Sequence, residues 1–202
     1  MSKQLLIATR NLKKKKELQE ILSAFNLQLL NLDDIPPLPE VEEDGLTFEE
    51  NAVKKALTVA RQSNMLTLAD DSGLAVDALQ GAPGVFSARY AGPEANDDRN
   101  NQKLLQAMQQ VEDHQRTARF ICVIALASPQ GMVKTVMGSC AGMISRTLHG
   151  TEGFGYDPLF IPEGFDKSFA ELTPAIKNSI SHRGIALSKI KPLLEEFLNM
   201  EG

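Results

Sequence analysis

The run Leu66-Thr67-Leu68-Ala69-Asp70-Asp71-Ser72-Gly73 brings two adjacent carboxylates and a hydroxyl to the end of an apolar, strand-like segment. Few folds accept that arrangement without using it, because a carboxylate taken out of water must be paired or hydrogen-bonded. Successive side chains of a strand point to opposite faces, so Asp70 and Asp71 are expected in different surroundings. One is expected to be buried or bonded to backbone. The other is expected to face a cleft, where its oxygens could hold a hard divalent cation. The competing reading is an Asx turn that closes the strand at Asp-Ser-Gly.

The 202 residues read as one domain, 1–202, with room for two lobes. Leu5 to Thr9 reads as a buried strand. Asn11 to Phe25 follows as a helix, with Leu18, Ile21, Leu22 and Phe25 at spacings of three and four. Strand, short turn and helix form an α/β opening. Three prolines between Asn31 and Pro39 exclude a regular helix there, which leaves a connection into the acidic stretch Glu40 to Gly45. Thr47 and Glu50 spell a capping box for a second helix that ends near Ser63-Asn64 and has Ala52, Val53, Ala56, Val59 and Ala60 on its apolar face. Beyond it come a strand from Leu66 to Asp71, a turn at Gly73, a second strand from Leu74 to Leu79 and a helix over Asp97 to Gln110. Strands over Ala118 to Ala127 and Met132 to Ile144 are joined by the hairpin-type Ser128-Pro129-Gln130-Gly131, and Leu159-Phe160-Ile161 follows. A last helical region from Ser181 to Leu198 should be interrupted by Pro192. Early alternation of strand and helix followed by paired strands predicts a mixed, twisted central sheet flanked by helices.

A formal charge of -5 and a pI of about 5.3 argue against a general affinity for nucleic acid, which needs clustered Lys and Arg. Cys122 and Cys140 lie in apolar runs without metal-ligand spacing and read as reduced core thiols. The apolar run at the N-terminus is too short for a signal peptide and no stretch approaches a membrane span, so the expected location is the cytoplasm. Both common nucleotide motifs, the Walker A loop and Gly-x-Gly-x-x-Gly, are missing from the sequence. Lys13 to Lys16 oppose the dipole of the first helix, and consecutive lysines fan around it so that one or two can face a common anion. The remainder read as a solvated helix start. Glu40, Glu42 and Glu43 suit the start of the second helix, or with Asp71 could build an oxygen-rich magnesium site. Gly150 to Pro158 sets Phe154 and Tyr156 among glycines, where a ring could meet a flat ligand or plug the loop against the core. Lys177 precedes the last helix and His182-Arg183 begins it, while His114 and His149 read as surface or loop residues.

Six blocks in this order resemble the inosine/xanthosine triphosphate pyrophosphatase family. They are Thr9-Arg10-Asn11 to Lys14; Glu43 ahead of Thr47-Phe48-Glu49-Glu50-Asn51-Ala52; Ala69 to Leu74; Gly81-Ala82-Pro83-Gly84 with Ser87-Ala88-Arg89-Tyr90; Gly153 to Pro158; and Ser181-His182-Arg183-Gly184. The resemblance implies a two-lobed α/β homodimer with its active site in the cleft between lobes. It also implies Mg2+-dependent hydrolysis of dITP, ITP and XTP to the monophosphate and pyrophosphate, clearing the nucleotide pool. Carried over by position, Asp71 is the general base and a metal ligand, with Glu43 as the second metal-associated carboxylate. Thr9, Arg10, Asn11, Leu12, Lys13, Lys14, Ser72 and Lys177 bind the substrate around its phosphates and sugar. Phe154, Gly155, Tyr156, Asp157, His182 and Arg183 form the base pocket. The chain departs from the family at Arg10, Lys13 and Glu152, where glycine is usual. Two alternatives stand beside this reading: a related pyrophosphatase acting on modified pyrimidines or methylated bases, and a catalytically silent nucleotide sensor.

Overall fold

The computed structural model describes residues 4–23 and 27–200. One six-stranded sheet has the order β2-β1-β3-β4-β5-β6, with β1 over Gln4–Ile7, β2 over Gln28–Asn31, β3 over Thr67–Val76, β4 over Thr117–Ala127, β5 over Val133–Ile144 and β6 over Phe160–Pro162. β1 pairs in parallel with both β2 and β3, and β5 pairs antiparallel with β6, so the sheet is mixed as expected. The chain divides into two compact units, 1–71 with 122–138 and 183–202, and 72–121 with 139–182. It crosses from one to the other inside β3, β4 and β5 and again between His182 and Arg183.

In the first unit the strand pleat sorts side chains into two cores. Leu5, Ile7, Leu68, Cys122, Ile124 and Leu126 pack with Leu18 and Leu22 of α1 (Leu12–Leu22), with Ala186 and Leu187 of α5 (His182–Ser188) and with Leu194 and Phe197 of α6 (Lys191–Met200). Leu6, Ala8, Ala69, Val123, Ala125 and Ala127 point the other way, onto Ala52, Ala56, Val59 and Ala60 of α2 (Phe48–Ser63). The small residues on both sides of this second layer let the helix lie close to the sheet. Thr47 accepts from the Glu50 amide and Glu50 accepts from the Thr47 amide, which is the capping box read from sequence, and Asn64 closes α2 in the left-handed region at φ 55°.

The second unit has its own core of Leu74, Val76, Leu104, Met108, Phe120, Ile144, Tyr156, Phe160 and Phe169. Leu104 comes from α3 (Asp97–Ala107), and the Phe120, Phe160 and Phe169 rings meet at centroid distances of 4.7 to 5.9 Å. Arg116, buried and without a carboxylate at hydrogen-bond distance among the described residues, donates to the carbonyls of Met108, Ile144 and Ser145 and so ties the end of α3 to the sheet. Cys122 and Cys140 are free, buried thiols, and burial above all pushes them up to about 12 and about 11.

Several expectations need correction. Asp70 to Gly73 do not end a strand: β3 runs unbroken through them to Val76, where a 3-10 turn over Asp77–Leu79 follows. Gly73 is there for space, since a Cβ at this position would lie 2.4 Å from Ser87 Oγ and 2.6 Å from the Gly84 carbonyl oxygen. The first helix ends at Leu22 within the described residues, and Phe25 lies outside them. One expectation here holds: the last helical region is interrupted at Pro192, since α5 stops at Ser188, the residue whose carbonyl a proline at 192 cannot bond, and Pro192 sits in the first turn of α6, where its missing N–H costs nothing. Strand β2 and helix α4 (Pro174–Ile180) had no clear sequence signal: the first is four residues long, and the second is a seven-residue helix capped by Thr173 with Pro174 at its first position. Gly73→Ala should cost about 1–3 kcal/mol by overpacking. Adding Ser87→Ala should restore only part of it, because the Gly84 carbonyl remains in the way; urea denaturation of both variants is the check.

Candidate functional site

The pleat that separates the two cores of the first unit also separates the two carboxylates. Asp70 shares the side of Leu68 and meets α1 and α5. Its Oδ2 lies 3.2 Å from Lys14 Nζ and 3.2 Å from Arg183 Nη2, and it is fully buried. Arg183 also pairs through Nη1 with Glu17 of α1. Burial opposes charge on Asp70, but Lys14, Arg183 and Lys55 outweigh it and hold the carboxyl well below the usual aspartate range. The same carboxylates keep the buried Arg183 guanidinium protonated against its own desolvation.

Asp71 shares the side of Ala69 and meets α2. Its Oδ2 accepts from Asn51 Nδ2 at 3.0 Å, and the Asn51 Oδ1 accepts from the Gly45 amide at 2.8 Å, which ties the acidic connection to the helix start. Burial raises the Asp71 carboxyl above the ordinary range and the nearby Glu43 charge adds to this, while Lys14, Asn51 and Lys55 pull the other way without cancelling it. Glu43 Oε1 pairs with Lys55 Nζ at 2.7 Å. Burial disfavours the Lys55 charge, but the carboxylates of Asp70, Glu43 and Asp71 raise its pKa overall. Two neighbouring aspartates are thus poised in opposite senses, one locked as an anion and one with raised proton affinity.

The turn into α1 is organised by Asn11, whose Oδ1 accepts from the amides of Lys13 and Lys14 at 3.0 and 3.1 Å, while Thr9 Oγ1 accepts from the Asn11 amide. Leu12 is exposed, and Arg10 donates to the Leu38 carbonyl oxygen at 3.0 Å. The lysines fan as their spacing requires: Lys14 turns to Asp70, Lys15 to Asp33 and Lys16 to Glu20.

In the second unit the Gly153 to Asp157 loop is closed by Asp157, whose Oδ2 accepts from the Phe154 amide at 2.8 Å and from Lys177 Nζ at 2.7 Å. Gly153 is required here, since a Cβ would stand 2.2 Å from that oxygen. The Lys177 ammonium also lies 4.9 Å from the centre of the half-buried Phe154 ring. Tyr156 is a core residue whose hydroxyl donates to the Ser87 carbonyl oxygen at 2.9 Å. His182 is buried with its ring stacked on Phe120 at 4.7 Å and 11°. Ser72, half-buried, follows Asp71 on β3.

Two groups of side chains therefore stand in the described residues: the polar Lys14, Asp70, Arg183, Glu17, Asp71, Asn51, Glu43 and Lys55 in the first unit, and the Phe154 ring with Asp157, Lys177 and His182 in the second. The Ham1 family model matches residues 5–193. The chain belongs to the Ham1 family. It is 53% identical over 190 residues, 94% of each chain, to the dITP/XTP pyrophosphatase of Desulforamulus reducens, and 48% identical to that of Clostridium perfringens over 97% of this chain and 99% of the relative. A solved Ham1 protein from Coxiella burnetii superposes with a TM-score of 0.87 at 41% identity, covering 96% of this chain and 99% of the other. The dITP/XTP pyrophosphatase from Mycobacterium abscessus superposes at 0.77 with 43% identity, over 94% and 99%.

The family resemblance read from six sequence blocks is thereby borne out. Lys177, grouped by resemblance with the phosphate and sugar contacts, lies here with Phe154 and Asp157. Arg183, grouped with the base pocket, is paired with Asp70 and Glu17. Sequence reasoning gave no site role to Asn51, Lys55 or Glu17. The first two are spaced four apart on α2, and Asn51 also lies in the family block Thr47 to Ala52; these are their signals. Asp70→Asn should destabilise the protein by about 3–5 kcal/mol by leaving buried cations short of a partner, with Glu17 keeping the loss near the lower end. The folded pKa of Asp70 is depressed, so this stabilisation is complete above about pH 4 and fades as pH falls below it. Urea denaturation at pH 7 and pH 3 should show the gap between wild type and variant shrinking in acid.

Proposed function

We propose that this Ham1-family chain hydrolyses deaminated purine nucleoside triphosphates, dITP, ITP and XTP, to the monophosphate and pyrophosphate. The observation that carries the reading is the split pair on β3: an anion held among cations at Asp70 and, one residue on, a carboxyl of raised proton affinity at Asp71. Relatives named dITP/XTP pyrophosphatases at 47–53% identity supply the substrate class.

In this reading Asp71 accepts a proton from a water that attacks the α-phosphorus, and pyrophosphate leaves as the α–β anhydride bond breaks. Glu43 and Asp71 would hold Mg2+. The donor set is all oxygen, and the charge of Glu43 contributes to the raised pKa of Asp71, so a divalent cation would relieve repulsion between them. Magnesium needs only one or two protein carboxylates when substrate phosphates and water complete its shell. Bound there, the ion supplies neutralisation of phosphoryl oxygens.

Thr9 to Lys14 begin a helix and are assigned to the triphosphate, with Asn11 ordering the first turn and Lys14 adding charge. Ser72 and Lys177 join them at the sugar and phosphates. Phe154, Gly155, Tyr156 and Asp157 are assigned to the base, with the Phe154 ring as its stacking surface. Arg183 is a pure donor, as His182 would be in its protonated form, and both suit the 6-oxo group of hypoxanthine or xanthine, whereas adenine would present an amino group to them. A guanidinium has five N–H donors, so Asp70 and Glu17 can orient it toward a further acceptor. The reading includes cytoplasmic location and a homodimer; no helix of the described residues is long and apolar enough to cross a membrane.

Purified protein should release pyrophosphate from dITP, and chelation of divalent metal should abolish the release. Asp71→Asn should lower kcat by about 10²–10⁴ and remove the rise of kcat/KM with pH on the acid side, since the base must lose its proton to act. Turnover by the variant at the wild-type rate would take Asp71 out of this role. Light scattering should return twice the 22.1 kDa chain mass.

A further inference from the structure

We infer that Asp97 and Asn101, four residues apart on α3, are positioning residues for base recognition because together they clamp the two peptides on either side of the Gly155 Cα. Asp97 Oδ2 accepts from the Gly155 amide at 2.9 Å, and Asn101 Nδ2 donates to the Gly155 carbonyl oxygen at 2.9 Å. Both backbone groups of one loop residue are thus held by one helix face. Gly155 lies in the left-handed region at φ 62°, and an added Cβ would meet nothing within 4 Å among the described residues. A glycine there has wide freedom to rotate, and the clamp removes it. The Phe154 amide is held by Asp157, so the two peptides that aim the Phe154 ring are both fixed from outside the loop backbone.

The platform is itself anchored. Asn100 bonds the Ala91 amide and the Ala88 carbonyl oxygen, Leu104 and Met108 are buried in the core, and Arg116 holds the Met108 carbonyl oxygen at 2.7 Å. Asn101 is buried, and its Oδ1 has no hydrogen-bond partner among the described residues. A half-satisfied buried amide is less stable than an apolar side chain of the same shape, so an asparagine at this position is accounted for by what its Nδ2 holds.

This assignment rests on the base-pocket role proposed above for Phe154. Asp97→Ala and Asn101→Ala should each raise KM for dITP about tenfold, the scale of one lost hydrogen bond, with kcat within about twofold of wild type and a lower ratio of kcat/KM for dITP over dGTP. Asp97→Asn keeps an acceptor for the Gly155 amide and should recover most of the wild-type KM. Should Asn101→Ala fail to fold, the half-exposed Asp97 variants decide alone. Unchanged KM in an active enzyme, equal losses on dITP and dGTP through kcat, or no recovery in Asp97→Asn would each overturn the clamp while leaving the proposed reaction standing. Wild-type protein without dITP turnover would overturn both.

Discussion

The alternation of side chains along β3 is the constraint on which the first unit depends. Leu68 and Asp70 share one side, Ala69 and Asp71 the other, and each side has its own helices. On the α1 and α5 side two cations meet Asp70 and cancel its desolvation. On the α2 side a neutral amide meets Asp71, and burial with the nearby Glu43 charge outweighs the pull of Lys14, Asn51 and Lys55, so the balance goes the other way. A slip of one residue in the register of β3 would exchange the two environments and put leucine against the small-residue face of α2. The apolar register that builds the two cores is therefore the same register that prepares the carboxylates. Chemistry and packing cannot be separated at this strand.

Charge compensation is local in a chain whose overall balance is negative. Asp70, Arg183, Lys14 and Glu17 form an alternating cluster in which each buried charge has an opposite neighbour, and Lys55 does the same for Glu43. Such clusters contribute little net stability relative to apolar packing, but removal of one member leaves another stranded in a low dielectric. In the second unit Asp157 has a comparable role for its loop, accepting from a backbone amide and an ammonium with a single oxygen. Rigidity there is built from polar contacts to backbone, on a base of aromatic packing around Phe120, Phe160 and Phe169.

Much of this was legible in the sequence. The α2 boundaries followed from a capping box and a spacing of three and four, both of which are local. The helix and the two long strands of residues 97–144 were found within a few residues of their ends. The continuation of β3 through Asp-Asp-Ser-Gly was not legible, because Asp-Ser-Gly is ordinary turn chemistry until Ser87 and Gly84 crowd Gly73 from elsewhere in the chain. Short elements such as β2 and α4 escaped for the related reason that a few residues do not establish a period. Asn51 and Lys55 escaped as site residues because an exposed-looking polar position on a helix gives no sign of which strand it faces.

The sequence by itself determined that Asp70 and Asp71 would face opposite ways, that Lys13 to Lys16 would fan so that few could share a target, and that six ordered blocks mark one family. These are consequences of backbone geometry and of residue order, which need no partner to be known. Tertiary structure alone decided which aspartate is locked as an anion, that Arg183 meets Asp70 and Glu17, and that Gly155 is gripped by α3. Those outcomes depend on charges and hydrogen-bond donors separated by tens of residues in the chain. Their energies are set by distance and burial, and neither is written in the spacing of the letters.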